Sequence, residues 1–201
     1  MVGDYKGAFP DYEKAIELDP EYFDSYFSRA VLKDKVDDYK GAIEDYTICI
    51  LLNENSAKSH FNRAFSKSKI KDMVGALDDY SKCIAINPDH FAAYINRGII
   101  KQRKALYTEA ISDFDEAIAI KPNFTDAIQN RAICRAMINQ KEALDDFNKV
   151  VELDPQNPES YYNRALYFIN YKVAGNYCAD LQIAKRMGFE RASKVIAEKC
   201  K

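Results

Sequence analysis

The chain predicts an all-α fold, an α-solenoid of antiparallel helix pairs, on three observations. A fixed period runs through its 201 residues: Tyr26, His60, Tyr94, Ile128 and Tyr161 hold one slot, and Pro20, Glu54, Pro88, Pro122 and Pro155 hold another, in steps of 34, 34, 34 and 33. Such a period marks a repeat array. Within each copy the apolar residues recur at helical spacing. Ala110, Ile111, Phe114, Ala117 and Ile118 form one face, repeated as Ala42, Ile43, Tyr46, Cys49, Ile50 and as Ala76, Leu77, Tyr80, Cys83, Ile84. Each copy then ends where a proline disfavours helix in the residue before it.

Each unit reads as two helices. The first carries a small residue (Ala30, Ala64, Gly98, Ala132 or Ala165) that lets its partner approach closely. The second carries the alanine–aromatic–alanine face. This pattern of aromatic, small, alanine, aromatic, alanine and terminal proline slots resembles the tetratricopeptide repeat family over nearly the whole chain. The resemblance implies helix pairs stacked into a right-handed superhelix whose concave face binds peptides or proteins.

The order of elements follows from the columns, as a single array over 1–201. Residues 1–22 match only a second helix, with Ala8, Phe9, Tyr12, Ala15 and Ile16 on its face. Pro10 breaks a helix interior but suits a first turn, so regular helix is expected from Phe9 or Pro10 onward. A half unit without its first helix exposes an apolar face. Either the chain is a fragment of a longer protein, the favoured reading, or another chain covers that face. Full units are expected at 23–56, 57–90, 91–124, 125–157 and 158–189. The fourth of these is one residue short, which should tighten the turn at Ile138-Asn139-Gln140. In the last, Pro158 suits a first turn, Tyr177 and Leu181 replace the alanine and aromatic, and Gly188 ends the pair. Residues 190–201 should form a capping helix with Ala192 and Ile196 inward and Lys194, Glu198 and Lys199 outward.

Two charged columns keep step. Arg29, Arg63, Arg97, Arg131 and Arg164 precede the small residue, and Asp45, Asp79, Asp113, Asp146 and Asp180 precede the aromatic or leucine slot. Asp11 lies in the aspartate column with no arginine. A half-buried charge needs a partner, and the arginine fork matches a carboxylate. Pairing within each unit is therefore expected, rather than an anion site.

The candidate binding surface lies on the first helices. Asn62, Asn96, Asn130 and Asn163 fall in one column, with Ser28 completing it. A carboxamide both donates and accepts, so a row of them could grip an extended backbone. This resembles the asparagine ladder of other helical-repeat peptide binders. Beside it runs an apolar stripe of Phe27 and Val31, Phe61 and Phe65, Ile95 and Ile99, Ile133, Tyr162 and Leu166, interrupted by Gln129. The alternative is that the stripe is partly interhelix core and the asparagines bond locally. A dicarboxylate clamp for chaperone tails does not fit, because Phe27, Phe61 and Ile95 hold the slots its lysines need. The basic cluster of Lys101, Arg103 and Lys104, with Lys33, Lys35, Lys67, Lys69 and Lys71 in the copies, sits at helix C-termini, where cations favour the dipole.

Other classes have weaker support. The net charge of −2 gives no electrostatic footprint for nucleic acid. No apolar run is long enough to span a bilayer as a helix. His60 and His90 form no nucleophile–base arrangement, and no cofactor or metal fingerprint occurs. Cys49, Cys83, Cys134, Cys178 and Cys200 make an odd set, and Cys49 and Cys83 fill slots of buried small hydrophobes. That usage fits a reducing compartment. The expectation is therefore a cytoplasmic, non-enzymatic scaffold for a protein or peptide, or a periplasmic or secreted one if a signal precedes Met1. The alternative is self-association through the N-terminal half unit into a homo-oligomer.

Overall fold

The computed structural model describes residues 5–200, which form twelve α-helices and no strand. They divide into two compact units, Met1–Ile100 and Lys101–Lys201. The first holds α1 (Phe9–Leu18), α2 (Phe23–Lys35), α3 (Tyr39–Leu52), α4 (Ala57–Lys69), α5 (Met73–Ile86) and most of α6 (Phe91–Arg103). The second holds α7 (Tyr107–Ile120), α8 (Thr125–Met137), α9 (Ala143–Leu153), α10 (Pro158–Tyr171), α11 (Tyr177–Arg186) and α12 (Arg191–Lys199). A short 3-10 turn, Tyr5–Ala8, leads into α1 with Pro10 in its first turn.

Local chemistry sets the boundaries. Asp38 and Asp72 cap α3 and α5 by accepting from the backbone N–H of Gly41 and Gly75 at 3.0 and 2.9 Å. Ser56, Asn157 and Asn176 cap α4, α10 and α11 in the same way. Between the helices of a pair the chain reverses through one left-handed residue, at Asp37, Lys71, Ala105 and Asn139 in successive copies. Gly188 ends α11 at φ 87°, where a side chain would be strained.

The shortened copy departs from expectation. Its turn is longer rather than tighter: residues 138–142 separate α8 from α9, whereas three residues suffice in the earlier hairpins. Asn139 keeps the reversal at φ 57°, and the missing residue is taken from α9, which has 11 residues against 14 in α3, α5 and α7.

The core sits between paired helices. In the first unit Ala30, Ala42 and Tyr46 make one cluster, and Ala64, Ala76, Tyr80, Cys83, Ala93 and Ile100 another. The alanines have no exposed surface, which lets the helices close on each other while each tyrosine fills the space between. In the second unit Ala132, Ala143, Phe147, Tyr167 and Phe168 pack together, and α12 brings Ala192 onto Ala165, Leu181 and Ala184. α1 differs, because it contributes no buried residue and leaves Leu18 76% exposed.

The cysteines divide in a way the sequence did not indicate. Cys49, Cys83 and Cys134 are buried free thiols, but Cys178 and Cys200 form a disulfide with Cα atoms 5.7 Å apart. It joins the first turn of α11 to the end of α12. The reducing-compartment expectation rested on the repeat slots of Cys49 and Cys83, whereas this pair ties the last repeat to the capping helix.

Candidate peptide-binding face

The two charged columns come together as three-helix staples. Arg29 donates from Nε and Nη2 to both Asp45 oxygens at 2.8 and 2.7 Å. Arg63 does the same to Asp79 at 2.8 and 2.7 Å, Arg131 to Asp146 at 2.9 and 2.6 Å, and Arg164 to Asp180 at 2.8 and 2.7 Å. Arg97 donates to Ser81 at 3.1 Å, and Asp113 pairs with Lys101 at 2.8 Å. Burial would raise Asp79, but hydrogen bonds from Arg63 and Lys67 outweigh it and hold the carboxylate below its usual range. The bond to Asp45 raises the Arg29 guanidinium, and Asp180 does the same for Arg164.

Sequence reasoning missed two further columns of this network. The remaining Nη1 of Arg63, Arg97, Arg131 and Arg164 reaches back to the preceding second helix, to Thr47, Ser81, Asp115 and Asn148 at 3.1, 3.1, 2.7 and 3.0 Å. Lys33, Lys67, Lys101 and Arg135 add a second cation to the same aspartates at 2.7–2.8 Å. These lysines are therefore held rather than merely solvated near a helix dipole. The signal was available: one polar residue follows each aromatic or leucine slot, and a base follows every arginine but Arg164 by four.

The asparagine column behaves differently from copy to copy. Burial pushes the Tyr46 and Tyr80 phenols well above their ordinary range, and the nearby carboxamides of Asn62 and Asn96 partly oppose it. In the second unit the equivalent aromatics are Phe114 and Phe147, which have no hydroxyl. Asn130 turns back to its own helix, donating to the Asp126 carbonyl at 2.8 Å. Asn163 instead lines a cleft of about 230 Å³ between α8 and α10, with Ile133, Met137, Leu166, Tyr167 and Asn170.

Most of the first stripe members pack inward. Phe27 meets Tyr46 edge-on at 5.7 Å, and Phe61 meets Tyr80 at 5.7 Å and His90 at 4.5 Å. Ile95 is 8% exposed, and Tyr162 packs on Phe189 at 4.9 Å. The slot one turn on is more open. Phe65 is exposed, with the Lys69 ammonium 4.9 Å from its ring centre, and Leu166 and Met137 border the cleft. Gln129, which interrupts the stripe, has its carboxamide N and O buried with no hydrogen-bond partner. Asp34 closes this face of α2, accepting from Ser66 at 2.6 Å and Tyr46 at 3.0 Å. Its burial nevertheless raises the carboxyl pKa. Among the described residues no cluster of three metal-ligating side chains occurs.

Comparison with known proteins agrees with this architecture. Two tetratricopeptide repeat family models match, at residues 11–44 and 91–124. No curated protein gives a significant match. Among solved structures, YrrB, described as a tetratricopeptide repeat protein with an unusual peptide-binding site, superposes with a TM-score of 0.81 at 20% identity, covering 94% of this chain and 97% of its own. A repeat protein from Parabacteroides merdae gives 0.76 at 22% identity, over 90% and 72%. The type IV pilus biogenesis factor PilW gives 0.75 at 20%, over 96% and 91%.

Proposed function

We propose, from the premise that this chain belongs to the tetratricopeptide repeat family, that it is a non-catalytic protein-interaction scaffold which binds a peptide segment along its first-helix faces. The observation that carries the reading is the cleft between α8 and α10, where apolar walls meet the Asn163 carboxamide. A mostly apolar concavity with a few convergent polar groups is the usual form of a ligand site. YrrB, of the same fold, is itself described as peptide-binding. The partner class is protein rather than nucleic acid or membrane, in line with the net charge of −2 and with the lack, among the described residues, of a helix long and apolar enough to cross a bilayer. The disulfide between Cys178 and Cys200 supports the periplasmic or secreted alternative over the cytoplasm, since such bonds persist in oxidising compartments.

A random displayed peptide library panned against the chain tests this reading. Binders should be lost on Phe65→Glu or Leu166→Lys in protein that keeps its helical circular dichroism. Binders indifferent to both changes would place the site elsewhere. The second reading, self-association, is favoured by α1 and the turn after it, where Leu18 and Tyr22 are 76% and 51% exposed. A mass by light scattering that grows with concentration and falls on Leu18→Lys would support it.

A further inference from the structure

Resting on the peptide-binding reading, we propose that the cleft between α8 and α10 is a subsite for a lysine or arginine side chain of the bound segment. One basic column lapses in the second unit. First helices in the earlier copies end on a base at Lys35, Lys69 and Arg103, but the same slot holds Met137 in α8 and Asn170 in α10. Cations in a last turn offset the negative end of the helix dipole. α2, α4 and α6 each carry two bases in that turn. α8 carries only Arg135, which is engaged by Asp146 at 2.8 Å. α10 carries none. The cleft opens beside these two under-compensated ends, and its lining holds no charged residue. Lys172, the residue after α10, is exposed and outside that lining.

The chain supplies its own picture of the occupant. In α4 the Lys69 ammonium lies 4.9 Å from the Phe65 ring centre, and Lys58 lies 4.5 Å from that of Phe27. In the cleft the rings are present and the cation is missing: Tyr167 and Tyr171 stack with centroids 5.1 Å apart. Burial first, then Tyr171 and the carboxylates of Asp145 and Glu142, raise the Tyr167 hydroxyl, and the two carboxylates add negative charge near that ring. Ile133, Met137 and Leu166 offer an apolar wall for the methylene stem of such a side chain. The carboxamide oxygens of Asn163 and Asn170 supply acceptors at the rim, and the tyrosine faces attract the charge.

The test uses peptides selected from the displayed library against the whole chain. The selected set should be enriched in lysine or arginine. Replacing that residue by norleucine, which keeps the stem and removes the charge, should weaken binding about tenfold. Met137→Lys, at an exposed position, restores the chain's own cation and should cause a similar loss, whereas Met137→Leu should not. Selected peptides that tolerate norleucine and Met137→Lys but are lost on Leu166→Glu would show an apolar occupant and overturn the charge assignment. Peptides lost only on Phe65→Glu would overturn the cleft assignment while leaving the binding face intact. A chain that selects no peptide would overturn the parent reading and this one with it.

Discussion

The α4–α5 and α10–α11 pairs are copies of one design, and they differ in how fully each satisfies itself. In the first, Asp79 receives Arg63, Lys67 and the His60 ring, Tyr80 has the Asn96 carboxamide beside it, and Lys69 covers Phe65. In the second, Phe168 stands where the second base would be, so Asp180 receives Arg164 alone. Phe147 leaves Asn163 without a hydroxyl to bond, and Asn170 leaves the helix end without a cation. The comparison shows that a repeat can keep its packing while releasing the polar groups along one face. A ligand has most to gain where those groups are released.

The largest expected break in this symmetry comes from the aspartates. Asp79→Asn strands two cations and a histidine and should cost about 3 kcal/mol, and Asp180→Asn about 2 kcal/mol, read as the midpoint of urea unfolding. The pH dependence has a definite sign. The folded carboxylate of Asp79 titrates below its unfolded value, near 3.9. Its contribution is therefore complete above that value and is lost as the pH falls through the folded one. Asp79→Asn should remove that acid-sensitive part. Asp34, whose carboxyl is raised by burial, acts in the opposite sense: its penalty above the raised value is relieved on acidification.

The cap comes next. α12 has nine residues, too few for an isolated helix to persist, and the disulfide closes a separation of 22 residues beside it. Cys200→Ser should lower stability by about 2–3 kcal/mol and speed amide exchange in α12 while leaving α4 and α5 unchanged. Denatured, unreduced protein should show three free thiols, those of Cys49, Cys83 and Cys134. In the folded protein these three should resist alkylation at neutral pH, because burial pushes them up to about 12, 11 and 12.

Gln129 sharpens the comparison from a third copy, since it fills in α8 the slot that Phe61 fills in α4. Its buried carboxamide has no hydrogen-bond partner. Gln129→Leu should therefore stabilise the chain by about 1 kcal/mol in thermal unfolding. An unchanged melting temperature would mean that ordered water already satisfies the group.

Helix pairs, their order and the arginine and aspartate columns were legible in the sequence because they repeat, and a repeated slot reports a repeated contact. What was not legible is how one slot behaves when its neighbour changes. Asn62 and Asn163 occupy the same column, yet one faces a tyrosine and the other a phenylalanine across the helix interface. That difference is tertiary, and no spacing rule along one helix contains it. The stripe misled for a related reason: Ile95 is buried and Tyr162 packs on Phe189, and helical periodicity marked both as apolar without saying whether a neighbour covers them. The disulfide was not legible because Cys200 ends the capping helix, which occurs once, so no second copy reports that it meets Cys178 of the last repeat.

The smallest effect isolates that neighbour dependence most directly. Tyr80→Phe removes the buried hydroxyl that the Asn96 carboxamide influences and leaves the ring packing intact, so it should cost about 1 kcal/mol. Phe147→Tyr makes the reverse change, placing a hydroxyl in the cleft that Asn163 lines. If Asn163 turns to meet it, stability should change by less than about 1 kcal/mol. Peptide binding should weaken several-fold, because the carboxamide is then occupied from within. Tyr80→Phe should leave that binding unchanged, since Asn96 lies outside the cleft. A Phe147→Tyr variant that binds as tightly as the parent would show that the freed asparagine plays no part in recognition, leaving the apolar wall and the tyrosine rings to carry it.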